Sequence, residues 1–185
     1  QEGLKMMAEH GCSHLVYGYE HFDDRILKTM GKGSTRKTNL RSFFWTLEAG
    51  IRPIPNQIIG FPDEDFESIK AQMKAWDDLG IVVKPHFATA YPGSMWFAQY
   101  REKIVKQYEG QAKKRGLTDD LEAYVLDLGD ASRVSGVISK NFNAIELVGL
   151  REIMMQKQYD KIDEYEKVWR LNHKIPDGLP STLKS

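Results

Sequence analysis

One layout recurs three times along this chain and constrains its fold more than any other feature: an amphipathic helix, a glycine able to end it, an apolar run, and a polar or Gly/Pro-rich loop. The first copy runs through Met6, Met7 and Ala8 to Gly11, then His14 to Tyr19 by way of Leu15, Val16, Tyr17 and Gly18, then Glu20 and His21. The second sets Leu40, Phe43, Phe44 and Leu47 on one helical face, closes at Gly50, continues as an apolar run over 54–59, and turns through Gly60, Phe61, Pro62, Asp63 and Glu64. The third aligns Phe66, Ile69, Met73 and Trp76, closes at Gly80, continues over 81–90, and turns at Tyr91, Pro92 and Gly93. Spacings of three and four put each apolar set on one side of a helix, and glycine tolerates the left-handed conformation that stops it. The expected fold is α/β, with three parallel βα units whose helices cover one face of a sheet. Periodicity alone does not separate a fragment of a barrel from an open sheet. In both, sites gather at the C-terminal ends of strands, which here are Glu20 and His21, residues 60–64, and residues 91–93.

After Ser94 the pattern changes to charged helical sequence over about 96–114 and a stop at 116–118, followed by segments at 119–128, 143–158 and 160–172 and a Pro/Gly-rich end at 176–185. Residues 129–141 read as an irregular link. The division is therefore 1–95 for the βα units and 96–185 for a helical C-terminal extension.

With 185 residues, 41% hydrophobic and 28% charged, the chain has enough apolar material for a core of one domain with an appendage. Lys+Arg and Asp+Glu number 26 each, so no net positive field favours nucleic acid or acidic lipid. No apolar run approaches the roughly 20 residues that span a bilayer, and no signal peptide opens the sequence, so the expectation is a cytoplasmic protein without membrane insertion. Cys12 is the single cysteine, which excludes a site built from several thiolates of these residues alone. No metal ligand set is assigned within it. Residues 1–8 read as the middle of a helix with no initiator methionine, which is taken as a sign of truncation.

At the three strand ends the chain resembles radical SAM enzymes, especially the group that often carries an upstream cobalamin-binding domain. Gly18-Tyr19-Glu20, followed by the run from Asp24 through Ile26, Leu27, Met30 and Lys32 to Gly33, is similar to the family's fourth-strand segment. Ile58-Ile59-Gly60-Phe61-Pro62-Asp63-Glu64 resembles its fifth-strand G-F-P-G-E-T signature, and Tyr91-Pro92-Gly93-Ser94 its sixth-strand Y-P-G-T turn. Departures are His21 for a common Ser, Asp63 for Gly and Asp65 for Thr; Asp65 can still cap a helix, whereas Asp63 would be strained wherever φ > 0 is required. The family's cysteine triad is missing from residues 1–185.

The resemblance implies strands four to six of a partial (βα)6 TIM-like barrel, with S-adenosylmethionine as cofactor, a 4Fe–4S cluster in the full-length protein, cobalamin through an upstream domain as an option, and a small-molecule substrate. The missing N-terminal half of the same protein is the implied partner. In the family, the reduced cluster cleaves S-adenosylmethionine to start radical chemistry such as methyl transfer or cyclisation; residues 1–185 alone would be inactive. Glu20, just past a strand, would accept hydrogen bonds from ribose hydroxyls or from the cofactor's amino group; the competing reading pairs it with Arg25 or His21. His21 would face cofactor or substrate, or else serve as a cap. Ile58 and Gly60 stand where the family brings adenine to the backbone, though Ile58 serves equally as strand packing. One of Asn56 and Gln57 is expected to point into the barrel. Tyr91 would stack on adenine, line the substrate mouth, or simply sit at the rim. No catalytic residue is assigned. Gly31-Lys32-Gly33-Ser34-Thr35 lacks the Walker spacing and reads as a turn whose Ser34 or Thr35 caps the next helix. A non-catalytic ligand-binding module and a helical interaction module remain the alternatives.

Overall fold

Three parallel strands lie side by side in sequence order, β1 (His14–Glu20), β2 (Arg52–Ile59) and β3 (His86–Phe87), in a computed structural model that describes residues 1–113, 120–126 and 136–174. Helix α1 (Glu2–Glu9) precedes β1. Two helices, α2 (Asp24–Thr29) and α3 (Arg36–Glu48), cross from β1 to β2, and α4 (Phe66–Leu79) crosses from β2 to β3. The extension holds α5 (Met95–Gln107), a π-helical segment (Tyr108–Lys113), α6 (Leu121–Leu126), α7 (Ala144–Met155) and α8 (Tyr159–Asn172). The expected stop at 116–118, the end at 176–185 and most of the link at 129–141 lie outside the described residues. Among the described residues, no helix is long and apolar enough to cross a membrane.

Local chemistry sets these boundaries. Thr35 caps α3 in a reciprocal box with Thr38, Asp65 does the same for α4 with Ser68, and Asn143 for α7 with Glu146. Each such cap stabilises its helix by about 1 kcal/mol. Gly80 ends α4 at φ 65°, the left-handed conformation its position predicts. Asp63 is not strained: among the described residues, the non-glycine residues with positive φ are Glu20, Lys157 and Lys174.

The expected third strand over 81–90 is instead two residues long, pairing only Ile58 with His86 and Ile59 with Phe87. The reason lies in the prolines. Arg52 N–H donates to Ser13 O, so the alternate residues Pro53 and Pro55 turn their N atoms toward the other edge of β2, which offers no donor there. Pro85 removes another donor just before β3.

Alternation along β2 shows which face the helices cover. Pro53, Pro55, Gln57 and Ile59 are buried, whereas Arg52, Ile54 and Asn56 are exposed. On β1, Tyr19 is buried but Val16 is 60% exposed, on the same uncovered face as Ile54. The covered face packs Tyr19, Ile59, Met73 and Trp76 with Phe142, Leu147, Leu150 and Trp169 of the extension. A second cluster joins Ile26, Phe61, Ala88 and Ala90 to Ile104, Val125 and Ile138. Burying one large apolar side chain is worth about 1.5–3 kcal/mol, so these two clusters hold the extension against the βα units.

Candidate functional site

Where β1 ends, a bulge between Gly18 and Glu20 breaks the register with β2, and Glu20 adopts φ 61°. Its side chain lies over Gly18: a Cβ there would come within 2.6 Å of Glu20 Oε1. Lys32 Nζ donates to the same oxygen at 2.7 Å, so Glu20 pairs with neither Arg25 nor His21. Lys32 is delivered by the turn after α2, between Gly31 at φ 67° and Gly33 at φ 69°. Asn56 stands opposite Gly18 in register and is exposed. Ile58 follows on the same face, half-buried and packed against the second cluster, and His86 pairs beside it. His86 Nδ1 has no hydrogen-bond partner among the described residues.

Just beneath this face, the loops after β1 and β2 are locked together. His21 is fully buried; its Nδ1 accepts from Asp23 N–H at 2.9 Å, which leaves Nε2 to donate to Glu64 Oε1 at 3.1 Å. Glu64 is also fully buried, and its Oε2 accepts from Gly60 N–H. Asn141 of the extension donates to Glu64 O at 2.8 Å. The Phe61 ring meets His21 edge-on at 6.0 Å. His21 thus spans two strand ends rather than facing outward.

The other expected residues divide between the two faces. Gln57 is fully buried on the helix side, where its Oε1 accepts from Trp76 Nε1 at 2.8 Å, so Asn56 is the one of the pair that looks onto the uncovered face. Gly60 has φ 93°, and a Cβ there would approach Leu147 Cδ1 to 3.1 Å, so it meets α7 of the extension at close range. Tyr91 lies beyond β3 and is 43% exposed. Lys32, Glu64 and His86 had no individual role in the sequence reading. Ion pairing across a twelve-residue loop leaves no periodic signal, although the lysine sits inside the fourth-strand motif. Cys12 lies near the N-terminal end of β1, away from these groups. A cleft of about 520 Å³, lined by Lys103, Gln107, Phe142 and His173 among others, opens in the extension instead.

The chain matches no protein-family model. It is 35% identical over 94 residues to an uncharacterized methyltransferase of Pyrococcus horikoshii, an overlap of 50% of this chain and 20% of that protein. It is 26% identical over 139 residues to a protein of Methanocaldococcus jannaschii provisionally named a methylthiotransferase, covering 69% of this chain and 30% of the relative. The chain therefore spans less than a third of either relative.

Proposed function

We propose that residues 1–185 form one wall of the cofactor site in a radical SAM enzyme of the methyl- or methylthio-transfer kind. The observation that carries this reading is the convergence of Glu20, Asn56 and Ile58 at the C-terminal end of adjacent parallel strands, on the face where Val16, Ile54 and Asn56 stay exposed and Ile58 is half-buried against the second cluster. The names of the two relatives support the same class of chemistry. In this reading β1, β2 and β3 are strands four to six of a (βα)6 barrel, residues 96–185 are its helical extension, and the N-terminal half of the protein pairs along the free edge of β1.

S-Adenosylmethionine fits the residues present. The carboxylate of Glu20 accepts from hydroxyl or ammonium groups, Ile58 offers an apolar contact for adenine, and Gly18 leaves room where a side chain would intrude. Bound with a 4Fe–4S cluster held by cysteines outside residues 1–185, the cofactor would supply radical initiation. The chain's own residues bind and orient it: the bridge from His21 through Glu64 to Gly60 holds the first two loops at a fixed separation. Cobalamin in an upstream domain, a small-molecule substrate and a cytoplasmic setting belong to the same proposal.

Glu20→Ala in the full-length protein tests it. Loss of a charge-assisted hydrogen bond should weaken S-adenosylmethionine binding by roughly 1.5–3 kcal/mol. Calorimetry should register that loss while the iron–sulfur absorption stays unchanged. Undiminished affinity would remove Glu20 from the site and with it the main support for the reading.

A further inference from the structure

The cleft in the extension has no part in the cofactor reading. Its walls come from α5, from the segment that leads into α7, and from His173 just past α8. At about 520 Å³ it falls within the size range of small-molecule sites. Its charge is one-sided. Lys103, Lys106 and Lys140 line it, against a single carboxylate among the described lining residues, Glu146. That carboxylate is already engaged, since its Oε2 accepts from Asn143 N–H at 2.7 Å. Exposed lysines are ordinary on a protein surface, but three that converge on one concavity focus their field there. Lys106, one turn from Lys103 on α5, is exposed and has no hydrogen-bond or ion-pair partner among the described residues.

The walls are held by hydrogen bonds of their own. Gln107 Nε2 donates to Val137 O and its Oε1 accepts from Val137 N–H, both at 2.9 Å. Ser139 Oγ accepts from Asn141 N–H at 3.3 Å and from Phe142 N–H at 3.1 Å, and Lys103 Nζ donates to Ser139 O. Ser139, Asn141 and Phe142 are all buried. A preformed concavity with a few fixed polar groups and an apolar wall is what a small ligand needs. We propose that the cleft binds a small anionic molecule, with Lys103 and Lys106 meeting its phosphate or carboxylate oxygens and Phe142 its carbon skeleton. The same wall continues to the second strand end: Lys140 N–H donates to Pro62 O at 3.0 Å, Lys140 Nζ to Asp63 Oδ1 at 2.6 Å, and Asn141 Nδ2 to Glu64 O at 2.8 Å. A ligand that steadies residues 139–143 steadies the loop over 60–64 with them.

Calorimetry of the full-length protein with pyrophosphate and with citrate tests the site and tells a phosphate ligand from a carboxylate one. Saturable binding of one of them is expected. Lys106→Glu should weaken it about ten- to a hundredfold, the loss of a charge-assisted contact. Lys5→Glu makes the same change of net charge on α1 and should leave the affinity unaltered. Hydrogen exchange should slow at residues 137–146 and 60–64 when the probe binds; protection confined to 137–146 would overturn the link to the second strand end. No saturable binding of either probe at millimolar concentration overturns the site itself, as does full affinity in Lys106→Glu. Equal weakening by Lys5→Glu would mark an adventitious ion only and has the same consequence. Competition between the probe and S-adenosylmethionine would overturn both the anion site and the open-face cofactor reading, because the cleft would then belong to the cofactor.

Discussion

Glu64 shows how much a single buried side chain can decide. It has no solvent contact, yet both its oxygens are occupied, one by His21 and one by the Gly60 amide. A carboxylate suits this place because each neighbour is a donor. In Glu64→Gln, one oxygen becomes an NH₂ that must face either Gly60 N–H or His21 Nε2–H, leaving donors opposed in a dry setting. The expected cost is about 2–4 kcal/mol of folding stability, read from the urea midpoint. An unchanged midpoint would mean that the bridge between the first two strand ends is dispensable. Not all of this scale was legible beforehand. Glu20 follows from its place at a strand end, Ile58 from the family resemblance, and Asn56 only as one of a pair with Gln57. His21 could not be placed, because its partner lies 43 residues away and the burial of both arises only when β1 and β2 pair. Asn56 and Gln57 differ only in parity, and the choice between them needed the register.

Among the elements, the spacing of apolar residues located α3 and α4 within a residue or two, since both are set by local caps and glycines. β3 was overestimated because a run of apolar residues at 81–83 suggests a strand, while pairing depends on donors that Pro53, Pro55 and Pro85 do not provide. The docking of α8 on α4 was invisible to periodicity. It is pinned by Lys70 of α4, which bonds Asp163 at 2.5 Å and Glu166 at 2.8 Å, while Arg170 within α8 holds Glu166 at 2.6 Å. Burial alone would raise the Glu166 pKa, but the hydrogen bonds from Lys70 and Arg170 outweigh it and hold the carboxyl below its ordinary range. A depressed carboxylate pKa contributes stability above the unfolded value and loses it as pH falls through the folded one. Glu166→Gln should therefore cost up to about 1 kcal/mol at pH 7, the range for a solvent-screened pair. The difference from wild type should shrink as pH falls below the ordinary glutamate range and vanish once pH lies below the depressed folded value. Denaturant titrations at pH 7 and pH 3 check this; a difference undiminished at the lower pH would assign the effect to packing rather than charge.

Over the whole molecule, each of the two apolar clusters draws residues from both sides of position 95, so the extension and the βα units fold against each other. Helices cover one face of the sheet. The opposite face exposes Val16 and Ile54 beside the candidate cofactor residues, the side that the proposed barrel would turn inward. Sequence repetition made the parallel βα units readable, because helix, glycine and strand recur locally. Barrel closure was not readable, since three βα units have the same periodicity in a barrel and in an open sheet. The central claim is that this open face, at the strand ends, is where the cofactor sits. Hydrogen exchange of the full-length protein with and without S-adenosylmethionine tests it most directly. Slower exchange on binding is expected at the amides of residues 18–21, 56–60 and 88–91, with little change in α8. Protection absent from those strand ends, and found instead around the cleft formed by Lys103, Gln107 and Phe142, would contradict the account.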